Sequence, residues 1–213
     1  MTASPLSSSD ALRVLEGQLG RMRGMLVAYY GAFFRFTGGG LVAVGALFIG
    51  AFWAPTQAAG LLLPFAILYV GFHAAYLFSY ILFARTYATA LERRINRMLG
   101  TEVLIAHRLE EVYFGSPGDP RLVAGSLRRP LTMLAAETWH FTVMGALFFV
   151  VGTIIGASTV ERVGPPWSTF YVPAVIGWAV LNGAYLAWYF GVRRDQRAIE
   201  TILDEAYGEE PLA

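Results

Sequence analysis

The sequence contains no cysteine and no lysine. The first absence excludes disulfides, cysteine-ligated zinc, iron–sulfur clusters and thiol nucleophiles. The second excludes Schiff-base and lysine-base chemistry. All 16 basic residues are therefore arginine, a bias that points to a GC-rich bacterial genome. Charge is scarce as well, at 15% of residues where a soluble domain carries roughly 25%. Three histidines in the whole chain leave few ligands for a catalytic metal.

The missing charge is missing from four apolar segments of roughly 18 to 24 residues, each long enough to cross a ~30 Å hydrocarbon layer. The stretch around which the rest is organised is Leu61–Arg85. It carries Tyr69, His73, Tyr76 and Tyr80 at helical spacings that place all four on one face. Val172–Arg194 repeats the pattern with Trp178, Asn182, Tyr185 and Tyr189, and Pro173 matches Pro64. Gly45-Ala46-Leu47-Phe48 and Gly145-Ala146-Leu147-Phe148 echo each other in the preceding spans. These matches predict a duplicated hairpin, with the two copies in the same orientation.

The expected fold is all-α: four transmembrane helices as two tandem-repeated hairpins, with amphipathic helices on the cytoplasmic side. Five segments follow. Residues 1–35 form a tail and an amphipathic helix, 36–85 the first hairpin, and 86–138 a cytoplasmic helical segment. Residues 139–192 form the second hairpin and 193–213 a C-terminal helix and tail. Fifteen of the 16 arginines lie in or beside the first, middle and last polar segments, and only Arg162 lies on the other side. The positive-inside rule then places both termini in the cytoplasm of a bacterial inner membrane.

Ser9 or Asp10 is the expected cap of the first helix. Leu12, Leu15, Leu19, Met22 and Leu26 then form an a/d seam that continues to Tyr29 and Phe33. Such a seam suits pairing with another copy or a partner, and equally packing on the membrane surface or on helices of the same chain. Gly38, Gly39 and Gly40 open the first span, and Gly152 and Gly156 form a GxxxG in the third; both sets predict close helix approach. In the middle segment Leu91, Ile95, Met98, Ile105, Leu109 and Val112 keep a heptad-like phase broken at Glu102; a stop at Gly100 with a restart at Thr101, giving two short helices, and one bent helix fit equally well. A turn at Gly115–Pro120 leads to an expected short helix ending at Arg128-Arg129, with a kink at Pro130. Ser158–Ser168 is the expected loop between the last two spans.

His73 lies mid-span, where an ionisable side chain is a functional hypothesis by default. With Asn182 it could line a polar path, or both could tie neighbouring helices together through hydrogen bonds. Tyr80 and Tyr189 suit the interfacial aromatic belt. Glu137 and His140 share one face at the mouth of the third span, as half of a di-iron motif would. Arg35 stands where a matching ligand would be needed, so no metal site and no cofactor are expected, and Glu137 is expected to pair with Arg35 or another boundary arginine. The arginine pairs suit anionic lipid head groups, and no nucleic-acid signature is present. The reading that follows is a non-catalytic membrane protein that self-assembles or accompanies a larger membrane complex. The alternatives are a small channel or carrier lined by the His73 and Asn182 stripes, and a metal-dependent membrane enzyme using Glu137 and His140.

Overall fold

The computed structural model describes residues 7–53, 56–119, 121–122, 125–126, 128 and 133–207, without the side chains of Leu122, Ser126, Met133 and Leu134. The tail 1–6, the acidic end 208–213 and the expected kink at Pro130 lie outside the described residues.

Helix α1 runs unbroken over Ser8–Ala51, 44 residues, or about 66 Å at 1.5 Å per residue. Its cap is Ser7, whose hydroxyl accepts the Asp10 N–H at 3.2 Å; the expected caps Ser9 and Asp10 lie inside the helix. The amphipathic lead-in and the first span are thus one rod, with no break at Arg35 or the three glycines. Each glycine costs up to ~1 kcal/mol relative to alanine, but packing along the whole rod supplies the stability that local propensity lacks.

Helix α2, Ala59–Leu99, is 41 residues long and keeps Pro64 within its first turns. Both rods are about twice the thickness of a bilayer core, so each must project well beyond it. They run antiparallel. Ala51 lies near Gly60, Gly40 meets Val70, Leu26 packs with Phe78 and Leu82, and Leu15 packs with Leu91 and Ile95. The stop at Gly100 is as expected: φ is +66°, and Gly100 and Thr101 donate their N–H groups to the carbonyls of Arg97 and Asn96. The restart at Thr101 is not. Helix α3 begins only at Ala106 and ends at Phe114, because the Asn96 side chain holds the intervening chain extended. Asn96 accepts from the N–H groups of Val103 (3.1 Å) and Leu104 (2.8 Å) and donates to the Leu104 carbonyl.

The expected short helix after the turn is replaced by two two-residue strands, β1 Arg121–Leu122 and β2 Gly125–Ser126, paired antiparallel. Helix α4 then spans Met133–Val163, α5 Trp167–Val192 and α6 Arg194–Tyr207. Most of the expected loop Ser158–Ser168 is therefore helical, and Arg162 reaches across to the Gln57 side chain at 3.1 Å. At the other end Arg193 takes a left-handed φ of 55°, which breaks α5 from α6.

Four helices are long and apolar enough to cross a membrane, and apart from the small strand pair every described element is α-helical. Helix α2 is central. It buries one side against α1 and another against α4, where Gly152 lies close to Leu63 and Gly60 close to Ile155. Helix α5, expected from the sequence to match α2, is peripheral, with only Val175 and Phe190 buried. The two halves also differ in their lead-ins: α1 is continuous with its span, whereas α3 is separated from α4 by the strand pair.

Candidate functional site

The residues with the most elaborate chemistry are charged side chains at the arginine-rich end of the rods. Sequence spacing assigns most of them to solvent or to a span's edge. Glu92 on α2 is 2% exposed. One of its oxygens accepts from the His107 backbone N–H at 2.9 Å and lies 3.1 Å from His107 Nδ1; the other meets Arg23 of α1. Arg23 also pairs with Glu110 of α3. Arg85, likewise 2% exposed, donates from Nε to Glu110 at 3.3 Å and from Nη2 to the carbonyls of Gly115 (3.1 Å) and Glu110 (3.3 Å). Its guanidinium lies 5.3 Å from the centre of the Phe114 ring. Buried Arg121 donates to the carbonyls of Phe114, Gly115 and Ser116 and so holds the turn that follows α3.

The local reasons are plain. Positions 85 and 92 are seven residues apart, so α2 presents both along one side. The loop after Gly100 then folds α3 back along that side. Burial pushes the Arg121 guanidinium down to about 10, with the positive charge of Arg85 adding to the effect and Asp119 opposing it. Burial also disfavours the charged form of Glu92, but the bonds from Arg23 and His107 outweigh it and hold the carboxyl below its ordinary 4.5. Such a junction satisfies its own charges. Its chemistry is positional: it fixes α1, α2, α3 and the turn to one another.

It also fixes the direction of α3. The chain entering α3 is tied to Asn96, and its end lies beside Arg85 and Tyr30, the latter 6.0 Å from Phe114 ring to ring. Helix α3 therefore stands along α2. Its outer face exposes Leu109 (63%), Val112 (70%) and Tyr113, with Val103 nearby.

The a/d seam of α1 is not free. Leu12, Leu15, Leu19 and Met22 pack with Leu91, Ile95, Tyr87 and Tyr207, and Leu26 with Phe78, Ile81 and Leu82. Of the two uses the spacing allowed, packing within the chain is the one realised. Ile105, Leu109 and Val112 leave the phase of Leu91 and Ile95 and point outward. Among the glycines, Gly40, Gly152 and Gly156 sit under Val70, Leu63 and Tyr171, while Gly38 and Gly39 face open space.

The two polar stripes meet only in their arginine-side halves, where Tyr76, Tyr80, Tyr185 and Tyr189 border one groove. His73 lies among the rings of Phe36 (4.2 Å), Tyr69 (5.8 Å) and Tyr76 (5.6 Å). Asn182 donates to the Trp178 carbonyl of its own helix at 2.8 Å. Neither lines that groove, and exposed Tyr69 and Trp178 stand apart from it. Glu137 and His140 are exposed on α4. Arg35 turns back to the Gly31 carbonyl at 3.1 Å instead of meeting Glu137. No group of three potential metal ligands forms among the described residues.

No protein-family model matches the chain, and neither a curated protein nor a solved structure matches it. The four apolar helices suggest an integral, multi-pass membrane protein.

Proposed function

We propose that this is a non-catalytic assembly protein of a bacterial inner membrane, with both termini and the charged junction in the cytoplasm and α3 as its docking element. The observation that carries this reading is the outer face of α3. Because α3 stands along α2 between Asn96 and Arg85, its apolar outer face lies at or beyond the charged border of the apolar segment. A cytoplasmic apolar face of this kind is best accounted for by a protein partner. The rim carries both signs, with Arg108 paired to Glu102 at 2.8 Å and Arg93 to Glu111 at 3.3 Å. A mixed rim suits a second copy related by a two-fold axis. The prolines inside both α2 and α5 fit an origin by duplication, with the second copy since displaced to the edge.

The test is the native mass of the complex, extracted gently from its own membrane, for the wild type and for Leu109→Asp/Val112→Asp. Both side chains are exposed, so the monomer should fold. A multiple of the chain mass that collapses in the variant supports self-assembly. Loss of other proteins from the variant would shift the same face to a partner subunit. An unchanged mass would remove α3 from the argument. Orientation is checked separately: the chain lacks cysteine, so single cysteines at Ser7, Thr101 and Gln57 report their side of the membrane. An impermeant thiol reagent applied to intact cells should reach only Gln57→Cys.

A further inference from the structure

The groove between α2 and α5, closed at one end by the start of α6, has a cavity volume of about 540 Å³. Its walls include Tyr29, Tyr76, Tyr80, Tyr185 and Tyr189, and Asp195 lies at its polar end. Tyr29 and Tyr80 stack with their centres 4.8 Å apart, and the hydroxyls of Tyr76 and Tyr80 are 3.1 Å apart. These rings are not filled in by the chain: Tyr76 and Tyr185 are each about half exposed. Among the described lining residues, Asp195 alone carries a formal charge, and none is basic.

Aromatic faces and a carboxylate attract the same thing, a cation. The negative face of a tyrosine ring binds an ammonium group, and more strongly where water is partly excluded. Depth narrows the choice. Asp195 follows Arg193, which ends α5, and the groove runs from there towards Phe72 inside the apolar segment. A ligand must therefore place its ammonium at the membrane border and an apolar chain deeper in. The bilayer bordering the groove offers molecules of this kind in its aminophospholipids, whose ammonium is the outermost group and whose acyl chains run inward.

We infer that the groove is a binding site for a zwitterionic aminophospholipid, with its ammonium at Asp195 and the tyrosine rings nearest it and its acyl chains along the groove towards Phe72. The site is separate from the α3 face, and its failure would leave the assembly reading untouched.

The experiment compares phosphatidylethanolamine, phosphatidylglycerol and hexadecyltrimethylammonium as added ligands in native mass spectrometry of the full chain in neutral detergent. Phosphatidylglycerol has the phosphate and the chains but no ammonium. Phosphatidylethanolamine should bind more tightly, and Asp195→Asn or Tyr189→Leu should each weaken it by roughly fivefold to tenfold. Phosphatidylglycerol should be indifferent to both changes. Asn182→Ala, on the same helix but outside the groove, should bind as the wild type. Equal binding of the two lipids, or indifference of phosphatidylethanolamine to both substitutions, would overturn the site. Binding of hexadecyltrimethylammonium without phosphatidylethanolamine would overturn the phospholipid assignment.

Discussion

The Glu92 carboxylate accepts the backbone N–H of His107 at 2.9 Å and faces the ring nitrogen of the same residue at 3.1 Å. One buried side chain on a long helix thereby fixes both the backbone and the ring at the start of a short one. Isolated helices of nine residues are marginal, so α3 depends on such contacts, and this pair secures its start as Asn96 and Arg85 secure the chain before and after it.

Glu92→Ala should therefore loosen the start of α3 while leaving the spans intact. Removing one partner of a buried pair costs about 3–5 kcal/mol, and the part-exposed Arg23 puts this case at the low end. Hydrogen exchange across residues 103–114 should accelerate strongly and exchange within 61–85 should not. Equal protection in variant and wild type would show that the contact holds nothing.

The same carboxylate gives a pH dependence. Its pKa is depressed in the folded protein, so its stabilisation is fully present above its ordinary value and is lost as pH falls through the lower folded value. The groups facing it are Arg23 from α1 and His107 from α3, with Glu110 sharing Arg23. The thermal midpoint of the wild type should fall more steeply than that of Glu92→Gln between about pH 5 and pH 3. Parallel curves would assign the acid sensitivity to other groups.

The glycines that open the first span should behave differently from one another. A Cβ on Gly40 would lie 2.8 Å from both methyls of Val70, whereas one on Gly38 would meet nothing within 4 Å. Gly40→Ala should destabilise the protein by about 1–3 kcal/mol through overpacking. Gly38→Ala should be neutral or stabilise by up to ~1 kcal/mol through helix propensity. Thermal unfolding in detergent distinguishes them, and equal midpoints would count against the α1–α2 crossing.

Leu15→Asp/Leu19→Asp should open the projecting ends of α1 and α2, because it places charge where Leu91 and Ile95 pack. Amide protection over residues 8–30 should be lost. A fall in native mass with protection kept would instead return the seam to a role between chains.

How far the sequence reaches differs from element to element. The four apolar runs were legible because a bilayer demands about 20 apolar residues whatever the tertiary arrangement. The stop at Gly100 was legible for a similarly local reason: glycine adopts the left-handed cap at little cost. The close approach at Gly152 and Gly156 could be anticipated, but not that it would be made to Leu63 and Tyr171.

Arg85, Glu92 and Arg121 were hidden because charge in a sequence is read as exposure. Nothing local says that a backbone N–H 15 residues on will reach Glu92, or a carbonyl 30 residues on Arg85. The one available signal was Glu92, which lies next to the seam residue Leu91 and one turn before Asn96 and Ile95 on a helix with a buried side. Heptad phase likewise gave the seam Leu12–Leu26 without its partner, since a/d spacing is identical whether the second helix belongs to the same chain or another. Helix periodicity, the length of the apolar runs and the glycine stop at Gly100 are properties of neighbours along the chain, and the sequence alone determined them. Which apolar face is covered, which charge is paired and which tyrosines share a groove depend on long-range contacts, and only the tertiary structure decided those.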